Sequence, residues 1–225
     1  MAQLRASVAS DAPARAWMRA VKAWQAHRLA RTHRDLLAEP RHGAAARFFL
    51  DDLYGEKDFS QRDAELARIV PMMVRLLPDA ALATIADAIE MDALSERLDL
   101  ALARDLRQPD TVAIDESAYA DAYRRAGSRA EREHQLELIV AIGHSLDRLV
   151  RYPMLGRLLK AMAGPARLAG LSQMHDFLAR GFDAFRSIGG ASEFLERIER
   201  RERAILEALY AGASTRWDEA TTQRP

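Results

Sequence analysis

The chain contains no cysteine, which excludes a disulfide framework, a zinc–thiolate centre, covalently attached haem and a cysteine nucleophile. Lysine is nearly as scarce: only Lys22, Lys57 and Lys160 stand beside 30 arginines. Aromatic residues make up 7% of the sequence and β-branched residues are sparse, so strand alternation has little to work with. Long hydrophobic runs are missing too. The longest, such as Ile69 to Val74, reach about six residues where a bilayer-spanning helix needs about 20. The N-terminal stretch MAQLRASVASDAPARAW has no continuous apolar core ahead of its charges and does not read as a secretory signal. A soluble, cytoplasmic protein is expected.

What remains is helix-forming material. Alanine supplies 43 of the 225 residues, and Leu, Arg and Glu follow it closely. The apolar residues recur with helical period, and the breakers divide the chain into segments. Pro13 predicts a first helix running to about Glu39, ended by Pro40-Arg41-His42-Gly43. A short helix follows over Ala44 to Tyr54, and Ser60 with Asp63 starts another that Pro71 kinks and Pro78 stops. An acidic helix then covers Asp79 to Leu106, and Asp115 caps a short one closing at Gly127. Ser128 and Glu131 form a capping box for a helix to Arg151. Further helices are predicted over Met154–Ala163, ended by Gly164-Pro165, then Arg167–Ile188, and Ser192–Tyr210 after Gly189-Gly190. The resulting fold class is all-α: an irregular single-domain bundle of eight or nine helices with short loops. Its domain is expected to span residues 13–210, between a disordered N-terminus (1–12) and a frayed polar tail (211–225).

The formal charge is zero, yet it is segregated. Residues 1–47 carry nine basic and three acidic side chains, residues 48–121 carry seven and 17, and residues 122–225 carry 17 and 13. A basic first helix lying against the acidic middle of its own fold or of a twin chain explains this directly. A basic arm for nucleic acid or anionic lipid is the sharper alternative.

The block RFFLDDLYGEKDFSQRDAELARIVPMMVRLLP, from Arg47 to Pro78, resembles a family of uncharacterised, all-helical proteobacterial proteins marked by an FFL-acidic-acidic-LYG block and an F-S-x-R-D helix start. The stretches GHSLDRLVRYP, from Gly143, and GPARLAGLSQMHDFLARGFDAF, from Gly164, are similar to that family as well, so the resemblance covers most of residues 44–210. It implies a helical fold and brings with it no mechanism and no catalytic residue.

Chemistry must therefore be sought among polar residues that project onto apolar stripes at about 100° per residue. Asp147 falls among Leu136, Ile139, Val140, Gly143, Leu146 and Val150, with His144 at the stripe's edge. His175 falls among Leu171, Met174, Leu178, Phe182 and Phe185. A His175–Asp147 pair is one possibility. Arg151, one turn beyond Asp147, is the local partner a buried carboxylate would need. Phe48, Phe49, Leu50, Leu53 and Tyr54 imply burial on several sides, so Asp51 and Asp52 require donors. These residues are ligand-pocket candidates or, in the plainer reading, interhelical struts.

Enzyme signatures are missing. The sequence has no G-x-S-x-G elbow, no phosphate loop and no H-E-x-x-H, and Ser145 points about 100° away from His144. Only Glu131 to His134 has the Glu-x-x-His spacing of a di-iron bundle, so no metal and no resident cofactor is expected. The turn at Gly127 fails as a helix-turn-helix because Glu133 and His134 stand where an apolar residue is needed, which argues against nucleic acid.

The leading reading is a non-enzymatic interaction or regulatory bundle that binds a protein partner or its own copy. Trp17 and Trp24 beside Arg15, Arg19 and Lys22 on the first helix are the partner-binding candidates, and peripheral membrane contact by that helix is a lesser option. The last helix, with Phe194, Ile198, Ile205 and Leu209 on one stripe, is a second candidate surface. The alternative is a small-molecule or cofactor-binding bundle, haem included, with its pocket near His175 and Asp147.

Overall fold

A computed structural model describes residues 11–53, 65, 79–107 and 113–213, and of residues 52 and 53 the backbone only. The described residues form nine α-helices and no strand. In chain order they are α1 (Ala12–Thr32), α2 (Arg34–Ala38), α3 (Gly43–Phe48), α4 (Asp79–Leu106), α5 (Glu116–Arg125), α6 (Arg129–Leu149), α7 (Pro153–Leu168), α8 (Ser172–Ile188) and α9 (Ser192–Tyr210). A π-helical turn, Phe49–Leu53, extends α3. Apart from Glu65, which is helical and buried, the helix expected from Ser60 to Pro78 lies outside the described residues, as does Tyr54.

Local chemistry sets several helix ends. Asp11 accepts from Ala14 N at 3.1 Å ahead of Pro13, and Asp115 accepts from Ala118 N at 2.7 Å. Ser128 and Glu131 close the capping box in both directions, at 3.2 and 3.1 Å. Gly189 and Gly190, at φ of 68° and 125°, reverse the chain between α8 and α9 in a region that side-chain-bearing residues avoid.

Three boundaries differ from expectation. The first helix breaks at His33, whose backbone leaves the helical region (φ −112°, ψ 26°), while its ring bonds to Glu202 on α9. The helix expected to stop at Gly164-Pro165 continues to Leu168 with Pro165 inside it. Pro165 and Ala161, whose carbonyl the proline leaves without an amide partner, are both exposed, so water supplies what the helix loses. As a result α8 begins only at Ser172, after a turn through Gly170 at φ 68°.

Three apolar clusters hold these helices together. In one, Met18, Val21, Leu102, Leu106, Tyr119, Ala122, Ile205 and Leu209 join α1, α4, α5 and α9, and Trp24 stacks on Tyr119 with ring centroids 3.7 Å apart. In the second, Leu36, Phe49, Val150, Phe185, Phe194 and Leu195 join α2, α3, α6, α8 and α9. The third, Met91, Leu94, Leu98, Leu138 and Ile142, seams α4 to α6. Phe185 and Phe194 are wholly buried, each contributing roughly 1.5–3 kcal/mol by transfer from water.

Glycine permits two close approaches. A methyl group at Gly181 on α8 would lie 2.7 Å from Cζ of Phe48, and one at Gly143 on α6 would collide with Leu195 on α9. Gly181→Ala is therefore expected to lower the unfolding free energy by about 1–3 kcal/mol, read from the urea midpoint. An unchanged midpoint would show that Phe48 can move aside. Against this interlocked body α7 is peripheral: among the described residues its main packing is against α8.

Candidate functional site

The inward carboxylate and histidine found in the sequence do not meet. Asp147 is 6% exposed, and Arg151, its expected local partner, donates to Oδ2 at 2.6 Å. Its Oδ1 accepts the backbone N–H of Ala191, at the start of α9, at 3.0 Å. His175 donates from Nε2 to the Leu159 carbonyl at 2.9 Å, while Nδ1 lies 3.3 Å from Asp176. The hydrogen bond to Leu159 occupies the ring nitrogen that iron ligation would use. His144 is half-buried on α6. Asp147 thus ties α6 to the first turn of α9. Asp147→Ala strands the buried Ala191 N–H and is expected to cost about 1–3 kcal/mol, whereas Asp147→Asn keeps an acceptor and should cost less. Equal losses in a denaturant titration would contradict the role of that amide.

The aromatic block is consumed in packing. The Phe48 ring lies 5.4 Å from that of Phe177, and Phe49 lies 5.7 Å from Phe185 and 6.0 Å from Phe194. Asp51 is exposed, the side chain of Asp52 and all of Tyr54 lie outside the described residues, and so this block frames no pocket that can be described. A groove of about 210 Å³ does lie between α7 and α8, where His175, Gly156, Lys160, Phe182, Asp183 and Arg186 line it. Of the sequence-derived pocket candidates, only His175 borders it.

The first helix is also used internally. Trp17 and Trp24 pack on the cluster that contains Tyr119, and Lys22 forms an ion pair with Glu96 on the acidic α4. Gln25 donates to Asp99 at 3.1 Å, so the basic helix lies on the acidic middle of its own fold. Burial pushes the Asp99 carboxyl up despite the nearby Lys22 and Arg132 charges. Arg15 and Arg19 remain exposed, without the tryptophans beside them in solvent. The last helix is spent likewise: Phe194, Ile205 and Leu209 are all buried.

Sequence reasoning missed a network joining α1 and α2 to α9. Arg28 donates to both oxygens of Glu202 at 2.6 Å, and Nε2 of His33 lies 2.9 Å from Oε1 of the same carboxylate. One residue earlier on α9, Arg201 grips Asp35 through two bonds of 2.7 and 2.8 Å. Arg197 reaches both Asp35 and Glu39, and Glu39 in turn meets His42. The hydrogen bonds from Arg201 hold the Asp35 carboxyl far below its usual range. Burial alone would raise Glu202, but the Arg28 charge and the His33 bond outweigh it and bring it down to about 2. The sequence does contain a signal. The α9 stripe skips from Ile198 to Ile205, and Arg201 and Glu202 fill the gap.

Sequence reasoning also passed over the outer side of α7. Met154, Leu158, Ala161, Pro165 and Leu168 recur at spacings of four and three and are all exposed, Met154 to 78% and Leu168 to 93%. A second apolar row, Gly156, Leu159, Ala163 and Ala166, faces roughly the opposite direction at about 100° per residue. Gly156 and Ala166 in that row are buried, and a methyl group at Gly156 would touch the Phe182 ring of α8 at 3.0 Å. One row is covered; the other is not.

These features define an all-α bundle with a packed, ion-paired interior and, among the described residues, one uncovered apolar helix face. No helix among the described residues is long and apolar enough to cross a membrane, and none of them forms a group of three metal-ligating side chains. The chain belongs to the family described as Domain of unknown function (DUF8198), whose model matches residues 4–216. No curated protein and no solved structure matches it.

Proposed function

We propose that this protein is a non-enzymatic interaction module and that the outer side of α7 is its docking surface. The observation that carries this reading is the double-sided character of α7. A helix with apolar rows on opposite sides belongs in an interior, yet this one has protein on one side only. Single exposed apolar residues need no explanation, but a periodic row flanked by charges of one sign does. From Arg148 to His175, both included, the chain has five lysines and arginines and no carboxylate. The side chains of Arg157, Lys160 and Arg167 among them form no hydrogen bond or ion pair among the described residues. Such a face, with large apolar side chains standing out between cations, suits an acidic helix whose apolar side chains are small, and docking of that kind packs one helix on another. Cross-linking in lysate tests it: wild type should give defined cross-linked species that Leu158→Asp combined with Leu168→Asp loses. Identical species from both proteins would remove the proposal.

A second reading, small-molecule binding, is supported by the groove beside His175. Its volume is below the roughly 300–1,000 Å³ usual for ligand pockets, so the candidate is a small anion-bearing molecule met by Lys160 and Arg186. Native mass spectrometry of the purified protein, with Lys160→Ala as the control, tests this: a bound mass lost in the variant supports it, and a bare polypeptide mass in both counts against it.

A further inference from the structure

Among the described residues five large apolar side chains stand out into solvent: Ile89, Tyr152, Met154, Leu158 and Leu168. Four belong to α7 and its N-cap, and the fifth lies on α4. The two helices are opposites in charge. Residues 148–175 contain five cations and no carboxylate, while residues 76–96 contain five carboxylates, Asp79, Asp87, Glu90, Asp92 and Glu96, and no cation. On α4, Asp79, Ala83, Ala86 and Glu90 recur at spacings of four and three and are exposed, with Ile89 beside them at 42%. Among the described residues Asp79 and Asp87 have no side-chain partner, and Glu90 meets the exposed His134, at 2.7 Å.

The shapes are opposites as well. The α7 row carries methionine and leucine ridges, and the α4 row is a shallow trough of alanines into which such ridges fit. Among the described residues the two faces do not satisfy each other, because α4 packs chiefly on α1, α5 and α6 whereas α7 packs chiefly on α8.

We infer that the outer face of α7 in one copy of this chain docks on the acidic face of α4 in a second copy, Met154, Leu158 and Leu168 entering the Ala83–Ala86 trough while Arg157, Lys160 and Arg167 meet Asp79, Asp87 and Glu90. This rests on the α7 reading above and names its partner. Each copy carries both halves, so the contact either closes reciprocally at two copies or continues head to tail. The ion pairs lie at the rim, so the association weakens as salt rises.

Charge reversal tests it. One variant carries Arg157→Glu, Lys160→Glu and Arg167→Glu; the other carries Asp79→Lys and Asp87→Lys. All five positions are exposed or half-buried and have no side-chain partner among the described residues, so both variants should keep the wild-type helical circular dichroism and melting temperature. In sedimentation velocity at low salt, each variant alone is expected to self-associate at least about tenfold more weakly than wild type, because like charges now face each other. An equimolar mixture restores association, since the acidic α7 of the first variant meets the basic α4 of the second. The inference is overturned if wild type stays monomeric at all concentrations, if either variant associates like wild type, or if mixing restores nothing. It is equally overturned if the α7 reversal abolishes only binding to phosphatidylserine vesicles. Failure of the mixture, with cross-links from α7 to other proteins intact, would remove the second copy as partner and leave the docking surface standing.

Discussion

Glu202→Ala is expected to lower the unfolding free energy by about 3–5 kcal/mol, the range for a buried ion pair deprived of one member. The residue left behind explains the size. Arg28 has its side chain only 12% exposed and His33 only 8%, and both lose the carboxylate that they share. For a domain of this length the melting temperature should fall by roughly 10 °C. The same network gives the stability a signed pH dependence. Glu202 titrates near 2 in the folded chain, below the ordinary glutamate value of about 4.3, and Asp35 is depressed in the same direction. Their contribution is complete above the unfolded value and is lost as pH falls from about 4 toward 2. Acid unfolding of wild type should therefore be steeper in that window than that of Glu202→Gln, which has no charge to lose there. Superimposable acid titrations of the two proteins would show that this carboxylate is not a strut.

Leu158→Asp combined with Leu168→Asp is expected to do the reverse: abolish association and leave stability within about 0.5 kcal/mol of wild type. Leu168 is 93% exposed and Leu158 44%, so little packing within the chain is lost. At an interface the same two side chains would be central anchors, where truncations cost about 2 kcal/mol or more each, and two carboxylates add repulsion from the acidic partner face. Sedimentation velocity and thermal unfolding of one preparation separate the two effects. A fall in melting temperature with association intact would place these leucines in the core rather than at a contact.

The contrast between these variants shows what was legible in the sequence. Features caused by neighbours in sequence could be read from it: the Ser128–Glu131 capping box, the Asp115 cap and the limits of α9, Ser192–Tyr210, appear as expected. The inward projection of Asp147 also appears, because helical period alone determines it. Features caused by distant residues could not be read. The break at His33 accompanies a bond to Glu202, 169 positions later, and without that partner Pro13 to Glu39 reads as one helix. Pro165 ends a helix only when the lost bond lies in a dry place, and exposure is a property of the folded chain. The α9 gap at Arg201 and Glu202 reads as a solvated flank until α1 and α2 are seen to cover it.

The candidate site followed the same division. An apolar row such as Met154, Leu158, Ala161, Pro165 and Leu168 looks identical in sequence whether it is buried or bare. The two helices chosen as partner surfaces, α1 and α9, have apolar rows as good as that of α7, and both rows are buried against the bundle. Only the fold distinguishes a face already occupied from one still open.

Hydrogen–deuterium exchange across a dilution series, read by mass spectrometry on peptides covering α7 and the first half of α4, reports most directly on whether the outer side of α7 is the working surface. Protection should rise together in residues 153–168 and 79–92 as concentration increases, and fall together when salt is added, with α1 and α9 unchanged. Exchange in α7 that stays fast and independent of concentration, salt and added lysate would contradict it.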